Sequence, residues 1–317
     1  MVRGFVQAPG PVLEPMSSAV RAPADSAMVV GLGSAVRAEL LADLGVRVLV
    51  EEAELTPKPA LVDRRGGGAH QDMNLEMFRR SAHALRPTFE DLAARAYLCA
   101  PSRRLREDLA AIGRRGEKAM FAVTGGVNTH RGAIWALGLL TAGAAMAPPE
   151  ASPTDITALA GRVAAFPDRY APTGASHGSL AAVRYGVSGA RGEARQGFPH
   201  VVSVALPALR GARRAGCSEE FARLDSLVAL IAHVDDTCLL HRGGRSALRD
   251  AQSGARAVLD VGGTATAAGR RALRSLEAAM LAYNAAPGGS ADLLAAALFL
   301  DALEDRVAAD SIHEEVA

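Results

Sequence analysis

The sequence predicts an all-α protein, a single-domain helical bundle with glycine-rich polar turns between its helices. Two patterns indicate this: apolar residues recur every three or four positions along most of the chain, and alternating strand patterns are nearly absent. Composition agrees, because 49% of the 317 residues are hydrophobic, enough to build a substantial core. No fixed-period repeat and no long interior linker divides the chain.

The first 26 residues are expected to differ from the rest. They contain four prolines among scattered alanine and serine, and they lack the continuous apolar stretch of a secretory signal. We therefore predict a flexible Pro/Ala-rich leader over 1–26 and one all-α catalytic domain over 27–317.

The segment from Met28 to Glu51 permits two interpretations. Its apolar start, its Gly31-Leu-Gly33 turn and its terminal acid imitate a dinucleotide-binding βαβ unit. Val36, however, stands where that motif needs a small residue, and no strand–helix alternation follows. A helix is the preferred prediction.

Further helices follow from apolar stripes and from helix-start signals. Stripes occur at Leu40–Val48, at Leu75–Leu85, at Leu224–Val234 and at Leu293–Leu303. Ser152 before Pro153, with Asp155 third in the helix, predicts a capped start, and Asn74, Ser218 and Ser290 are plausible N-caps. The uncharged run Gly132–Pro149 approaches the length of a membrane span. Its glycines and the polar residues directly before it favour a buried core helix instead.

Charge and composition exclude several classes of protein. A formal net charge of +1 argues against a general nucleic-acid binder, and 4% aromatic residues are too few for base-stacking platforms. Cys99, Cys217 and Cys238 are far apart, which indicates neither a zinc site nor a disulfide framework. Free thiols are typical of the reducing cytoplasm, where we expect the protein to be.

Five polar, glycine-rich stretches interrupt the apolar helical pattern, at 56–72, 124–132, 189–199, 233–245 and 287–292. Glycine lets the backbone approach a ligand closely, and a helix start offers unpaired N–H groups to phosphate. Arg131, Arg191, Arg242 and Arg245 add guanidinium groups suited to phosphate oxygens. No Walker-type phosphate loop is present, so the turns predict a phosphate-rich ligand on another scaffold.

Carboxylates and histidines within these turns are candidates for chemistry. Bound polyphosphate usually brings Mg²⁺, which prefers oxygen ligands, and Asp235, Asp236 and Glu193 are the candidate ligands. Asp63 and Asp72 flank His70. His130 stands beside Asn128 at a helix start and is expected to be functional, whereas His200 is expected to be structural, like His83, and Trp135 to fill the core.

The five stretches together resemble the triphosphoribosyl-dephospho-coenzyme A synthase family, and their wording is closest to the malonate decarboxylase branch rather than the citrate lyase branch. In order, they read TPKPALVDRRGGGAHQDM, GGVNTHRGAIWALGLL, ARGEARQGFP, HVDDTCLLHRGG and PGGSADLLAAALFLD, between about residues 35 and 305. The resemblance implies that ATP and 3′-dephospho-coenzyme A give 2′-(5″-triphosphoribosyl)-3′-dephospho-coenzyme A and adenine, the product being a prosthetic-group precursor of an acyl-carrier subunit.

Roles for individual residues follow from that reaction. Departure of adenine leaves an oxocarbenium-like ribose, so Glu193 or Asp236 is expected to be the base and to stabilise charge, with Asp63 and His70 near the adenine. Mg²⁺ on Asp235, Asp236 or Glu193 would grip the triphosphate. Asn128 and His130 would orient the ribose. The expected phosphate-binding residues are Lys58, Arg64, Gly125, Gly126, Arg191, Arg242, Gly243, Gly244, Arg245, Gly288, Gly289 and Ser290.

Two other interpretations stay open at this point. A Mg²⁺-dependent all-α hydrolase of N-glycosidic or ADP-ribosyl bonds would use similar groups but would admit water as the acceptor. A non-catalytic helical adaptor that binds decarboxylase subunits would have little use for five polar turns. The transferase interpretation expects ATP and 3′-dephospho-coenzyme A as partners, no nucleic acid and no membrane. It allows transient contact with decarboxylase accessory proteins, and a homodimer.

Overall fold

A computed structural model describes the backbone of residue 1 and of residues 24–174 and 176–316, with side chains described for residue 1 and over 33–174 and 176–306. Over these ranges the chain forms thirteen α-helices and one short π-helix, and its only β-pairing is an isolated bridge between Asp63 and Gly66. The all-α prediction is confirmed. Most of the predicted leader, at 2–23, lies outside the described residues, and the first helix begins at Ala24, inside the predicted leader.

Most helices follow one another through short connections, but 20 residues, 55–74, separate α1 from α2. They are α1 (Ala24–Glu54), α2 (Leu75–Ala84), α3 (Arg86–Ala96), α4 (Arg103–Thr124), α5 (Arg131–Met146), α6 (Pro153–Ala165), α7 (His177–Tyr185), α8 (Gly189–Arg195), π1 (Val201–Ala205), α9 (Leu206–Arg214), α10 (Glu219–His233), α11 (Thr237–Asp260), α12 (Ala267–Ala282) and α13 (Gly288–Val316).

Side-chain caps explain where several helices begin. The predicted capping box of Ser152 and Asp155 is present at α6, and the Asn74 side chain accepts a hydrogen bond from the Met77 N–H at α2. Ser218 occupies the N-cap of α10 without a side-chain bond. The prediction for Ser290 is wrong, because α13 already begins at Gly288 and Ser290 lies in its first turn.

The segment that imitated a dinucleotide-binding unit is one continuous helix. Residues 28–51 all belong to α1, which contacts α3, α5 and α13 through buried residues such as Leu41 and Val48. Gly45 lets the Phe89 ring of α3 approach, since a Cβ there would lie 3.0 Å from the ring. The helix prediction is confirmed, and the nucleotide-fold alternative is excluded.

Helices α5, α10 and α13 form the centre of the core. Nearly every residue of α5 from Ala133 to Ala145 is buried, and α5 contacts α1, α3, α4, α6, α8 and α13. The uncharged run that begins at Gly132 is therefore a core helix, as predicted. Within the described part of the chain, no helix is both long enough and apolar enough to span a membrane.

One helix is broken inside its length. Gly244 in α11 has φ 66° and ψ −163°, a conformation that favours glycine, so α11 consists of two helical pieces that meet at this residue. The break turns the predicted phosphate-binding segment 242–245 into a bend on the surface between α7 and α12.

Candidate active site

Several helix ends meet at one cleft. The N-termini of α5, α11 and α13 converge there with the C-terminus of α10 and with α8, around about 680 Å³ of empty space that is partly open to solvent. Helix N-termini carry partial positive charge from unpaired N–H groups, so the cleft favours negatively charged groups. The ionisable side chains that line it are Glu193, His200, His233, Asp235, Asp236 and Asp292.

Asp236 is the most buried of these groups, with 1% of its surface exposed. One carboxylate oxygen caps α11, accepting from the N–H of Cys238 at 2.8 Å and of Leu239 at 3.4 Å. The other accepts from the N–H and the hydroxyl of Ser290 at 2.8 and 3.0 Å. Burial nevertheless raises the pKa of Asp236 above the ordinary aspartate value. The Asp236 side chain is therefore hydrogen-bonded to the starts of both α11 and α13.

Asp292 approaches the start of α5 in the same way. Its carboxylate lies so close to the Cα of Gly132 that a methyl group added there would overlap it. Burial raises the pKa of Asp292 well above its usual range, and the nearby carboxylates Glu52 and Asp236 raise it further. Asp292 is half-buried and forms part of the wall of the cleft.

Glu193 and His200 form the third ionisable feature of the cleft. Glu193 is 7% exposed and accepts from the backbone N–H of His200 at 2.9 Å, while its second oxygen lies 2.6 Å from Nδ1 of the same residue. The tight turn at Gly197 and Phe198, both with positive φ, brings the two residues together. The Glu193 hydrogen bond raises the pKa of His200 against the opposing effect of burial, and Asp235 adds to the rise. π1 begins directly after His200.

The three predicted Mg²⁺ ligands line the same cleft, where two of them already bond to other groups of the protein. Both oxygens of Asp236 and both oxygens of Glu193 already accept hydrogen bonds. Asp235 is the exposed member of the set. Over the described residues, no group of three histidine, cysteine or acidic side chains is arranged to hold a metal ion.

Lys58 and His130 are buried behind the cleft. The Lys58 ammonium is 1% exposed and lies 2.6 Å from both the carboxylate and the backbone carbonyl of Glu52. Releasing it toward a phosphate would leave Glu52 buried and unpaired, at a cost of about 3–5 kcal/mol. His130 pairs Nδ1 with the Ser81 hydroxyl at 2.7 Å. Burial, and then the charge of Lys58, lower the pKa of His130 to about 3, so the ring is neutral.

The remaining residues of the first turn lie apart from the cleft. Asp63 is buried, and it holds its own loop by accepting from the backbone N–H groups of Lys58 and Arg65. Arg64 pairs with Glu54 at 3.0 Å on the surface. His70 is half-buried, and burial followed by the charge of Arg242 lowers its pKa. The structure therefore brings the first turn close to the α11 break rather than to Glu193 and Asp236.

The predicted glycine-rich phosphate turns have separate tasks. Gly125 and Gly126, with φ 65° and 90°, end α4, and Asn128 accepts from the Arg131 N–H to start α5.

The other predicted phosphate turns lie at the start of α13 and inside α11. Gly289 lines the cleft, and a Cβ there would lie 3.2 Å from both oxygens of Asp236. Gly243 and Gly244 belong to the α11 break, where Arg242 is exposed and Arg245 donates to the Tyr185 carbonyl at 2.7 Å. Gly288 packs against Cys238.

The sequence interpretation missed three residues of the cleft. His200 was expected to be structural, Trp135 to fill the core, and Asp292 received no role, yet all three line the cleft. Trp135 is half-buried, and its Nε1 donates to the Ala190 carbonyl at 3.0 Å. For His200 a signal was present, because a Gly-Phe-Pro turn separates it from Glu193 by a few residues.

An all-α cleft in which helix N-termini meet buried carboxylates and a Glu–His pair is suited to an enzyme that binds an anionic substrate beside groups able to exchange protons. The chain belongs to the CitG family, described as ATP:dephospho-CoA triphosphoribosyl transferase, which matches residues 38–311. The protein is therefore an enzyme, a transferase. No solved structure matches the chain.

Relatives from several bacteria cover the same region. Proteins named as probable 2-(5''-triphosphoribosyl)-3'-dephosphocoenzyme-A synthases are 55% identical over 274 residues in Azotobacter vinelandii and 55% over 268 residues in Pseudomonas fluorescens Pf-5. The match to Azotobacter covers 86% of this chain and 94% of the relative, and the match to Pseudomonas covers 84% and 92%. A relative in Pseudomonas aeruginosa PAO1 is 54% identical, over 84% of this chain and 91% of its own length.

Proposed function

We propose that this enzyme transfers the 5-triphosphoribosyl group of ATP to the 2′-hydroxyl of 3′-dephospho-coenzyme A, with release of adenine. The observation that carries the proposal is the convergence, in one cleft, of helix N-termini suited to anions with groups that exchange protons. Membership of the transferase family supports the choice of substrates. In the reaction the bond between C1′ of ribose and adenine breaks, its electron pair leaves with adenine, and the acceptor oxygen forms a new bond to C1′.

We divide the proton transfers between two groups of the cleft. Because the Glu193 hydrogen bond raises the pKa of His200 and so favours its protonated form, we assign this ring as the donor of a proton to the departing adenine. Asp292 lies in the wall of the same cleft, and we assign it, in its ionised form, to take the proton of the 2′-hydroxyl. Glu193 positions His200, and Asp236 keeps the helix ends in place beside the ribose.

We propose a different place for Mg²⁺ from the one that the sequence suggested. Because the oxygens of Asp236 and Glu193 are occupied by hydrogen bonds, we propose that Mg²⁺ enters as part of the ATP substrate rather than as a resident ion. Asp235 is exposed at the same edge of the cleft and is the carboxylate that this ion would meet. Arg242 and Arg245, at the α11 break, stay candidates for the phosphates of one nucleotide.

The deciding experiment is a mass-spectrometric assay of the purified protein with ATP and Mg²⁺, with and without 3′-dephospho-coenzyme A. We expect adenine and a triphosphoribosylated product in equal amounts, and only when the acceptor is present. Adenine without the acceptor would indicate the hydrolase, and no adenine from folded protein would favour the adaptor. Asp292→Asn should remove the product, whereas Asp305→Asn, at an exposed position on the same helix, should retain it.

We further propose that the product serves malonate decarboxylase, with transient contacts to accessory proteins of that system. The support is the wording of the five motifs, which resembles the malonate branch more than the citrate lyase branch. In a strain that lacks this gene, we expect loss of malonate-dependent growth with citrate-dependent growth unchanged. Loss of growth on citrate alone would assign the product to citrate lyase instead. The transferase interpretation also allows a homodimer, and sedimentation of the purified chain would show whether one forms.

A further inference from the structure

Beside the cleft lies a group of arginines that the reaction scheme above does not use. The guanidinium carbon of Arg106, on α4, lies 5.0 Å from the ring centroid of Trp135. The Trp135 indole in turn donates to Ala190, and Ala190 is followed by Arg191 on α8. Trp135 and Ala190 both line the cleft, so the wall of the cleft leads directly to these cations.

The cations of this group outnumber the nearby anions. Burial lowers the pKa of Arg106, and the charges of Arg191, Arg114 and Arg195 lie close enough to lower it further. Asp168 opposes this effect, but it is paired with Arg114 at 2.7 Å, and Glu107 is paired with Arg169 at 3.0 Å. The arginine group of Arg106, Arg114, Arg191 and Arg195 therefore holds more positive charge than its carboxylates neutralise.

One donor of the arginine group has no partner. Arg106 Nε is buried, and within the described part of the chain it makes no hydrogen bond. A buried donor left unsatisfied destabilises the folded state, and adjacent like charges add to that cost. A bound anion would supply the missing acceptor and would offset the repulsion. Phosphate oxygens suit this task because they accept paired hydrogen bonds from guanidinium groups.

We propose that the arginine group binds the phosphate chain of one of the two nucleotide substrates, with Arg106 and Arg191 as its principal ligands. The proposal rests on the proposed function for the identity of the substrates. The phosphate chain of the substrate would lie along the wall of the cleft at Trp135. The ribose or the acceptor hydroxyl would extend from there to Asp292 and His200. Two sources share this chemistry: the triphosphate of ATP and the diphosphate of dephospho-coenzyme A.

The test is calorimetric titration of the full-length protein with tripolyphosphate, ATP, pyrophosphate and 3′-dephospho-coenzyme A. Arg106→Gln and Arg191→Gln should each weaken binding by about tenfold to a hundredfold, the usual effect of losing one hydrogen bond to a charged group. Arg104→Gln, at an exposed position on the same helix as Arg106, is the matched control and should bind like the wild type. Arg191 is also exposed, so its substitution should leave folding intact.

Each outcome is decisive. Weaker binding of tripolyphosphate and ATP alone assigns the arginine group to the triphosphate, and weaker binding of pyrophosphate and dephospho-coenzyme A alone assigns it to the acceptor. Unchanged binding of all four ligands by Arg191→Gln and by folded Arg106→Gln overturns the proposal. Because binding is measured without turnover, a protein that binds normally but transfers nothing would contradict the proposed function and leave the subsite standing.

Discussion

Two histidines show how single residues acquire opposite protonation behaviour in this molecule. His200 shares a hydrogen bond with the Glu193 carboxylate, which raises its pKa, whereas His130 is buried near the Lys58 ammonium, which together with burial lowers its pKa to about 3. The environment therefore stabilises the cationic form of the His200 ring and the neutral form of the His130 ring. Catalysis and stability should therefore depend on pH through different histidines.

Replacing Glu193 with Gln should affect turnover and its pH dependence together. Without the carboxylate, the pKa of His200 should fall back toward its ordinary value, so the decline of kcat on the alkaline side should begin at a lower pH. We expect turnover at the optimum to fall by roughly 10²–10⁴. A complete pH–rate profile measures both effects, with Glu220→Gln, at an exposed position on α10, as the control. Near-normal turnover with an unmoved profile would remove Glu193 from the mechanism.

His130 should make the folded state sensitive to acid. Its pKa is lowered from 6.5 to about 3, so below pH 6.5 the unfolded chain takes up a proton that the folded chain refuses. The free energy of unfolding contributed by this residue is present above pH 6.5 and is lost as the pH falls toward 3, by about 1.4 kcal/mol per pH unit. In His130→Asn, denaturant titrations between pH 6 and 4 should show a slope smaller by about 1 kcal/mol per unit. His83→Asn, exposed on α2, should keep the wild-type slope.

At the scale of elements, aspartates at helix starts assemble the cleft. Asp236 joins the starts of α11 and α13, and Asp292 lies against the start of α5 at Gly132. Each carboxylate compensates the partial positive charge of a helix terminus at the edge of the cleft. Geometry at these helix ends is therefore tied to the position of the reactive groups.

Gly132→Ala should separate activity from stability. The added methyl would displace the Asp292 carboxylate, whose flexible end can move, so we expect the free energy of unfolding to fall by no more than about 1 kcal/mol while turnover falls at least tenfold. Gly113→Ala is the matched control on α4, because its Cβ would meet only an ordinary 3.8 Å contact with Ile134. It should stabilise the helix by up to about 1 kcal/mol and retain activity. Equal turnover in the two variants would contradict this assignment.

The elements were more predictable from the sequence than the contacts between them. Apolar periodicity and caps such as that of Ser152 indicate helices because both are local properties. Ser290 was misassigned because its partner, Asp236, comes from a distant helix, and no local pattern reports that contact. The pairing of Lys58 with Glu52 likewise depends on how a loop folds back onto α1. Family motifs located the polar turns, but only the packing separates the cleft from the loop around Asp63.

Across the whole molecule, the cleft depends on segments from Gly132 to Asp292, far apart in the chain, so it should be lost together with the fold. Trp135, the sole tryptophan, lies in its wall and reports on it by fluorescence. Unfolding followed by Trp135 fluorescence and by circular dichroism should therefore coincide.

Dephospho-coenzyme A at a hundred times its Kd should add about 2.7 kcal/mol to the free energy of unfolding. A fluorescence transition that precedes the loss of helix would show that the cleft opens independently.

The link that Asp236 makes between two helices has a consequence for backbone motion. The amides of Cys238 and Ser290 are both bonded to this one side chain. Neither amide can exchange its hydrogen with solvent deuterium through release of the carboxylate without the other becoming available too. Equal hydrogen-exchange rates of these two amides would thus report how often the Asp236 carboxylate releases both helix starts. A bound molecule that draws Asp236 away from the helix ends would increase both exchange rates together.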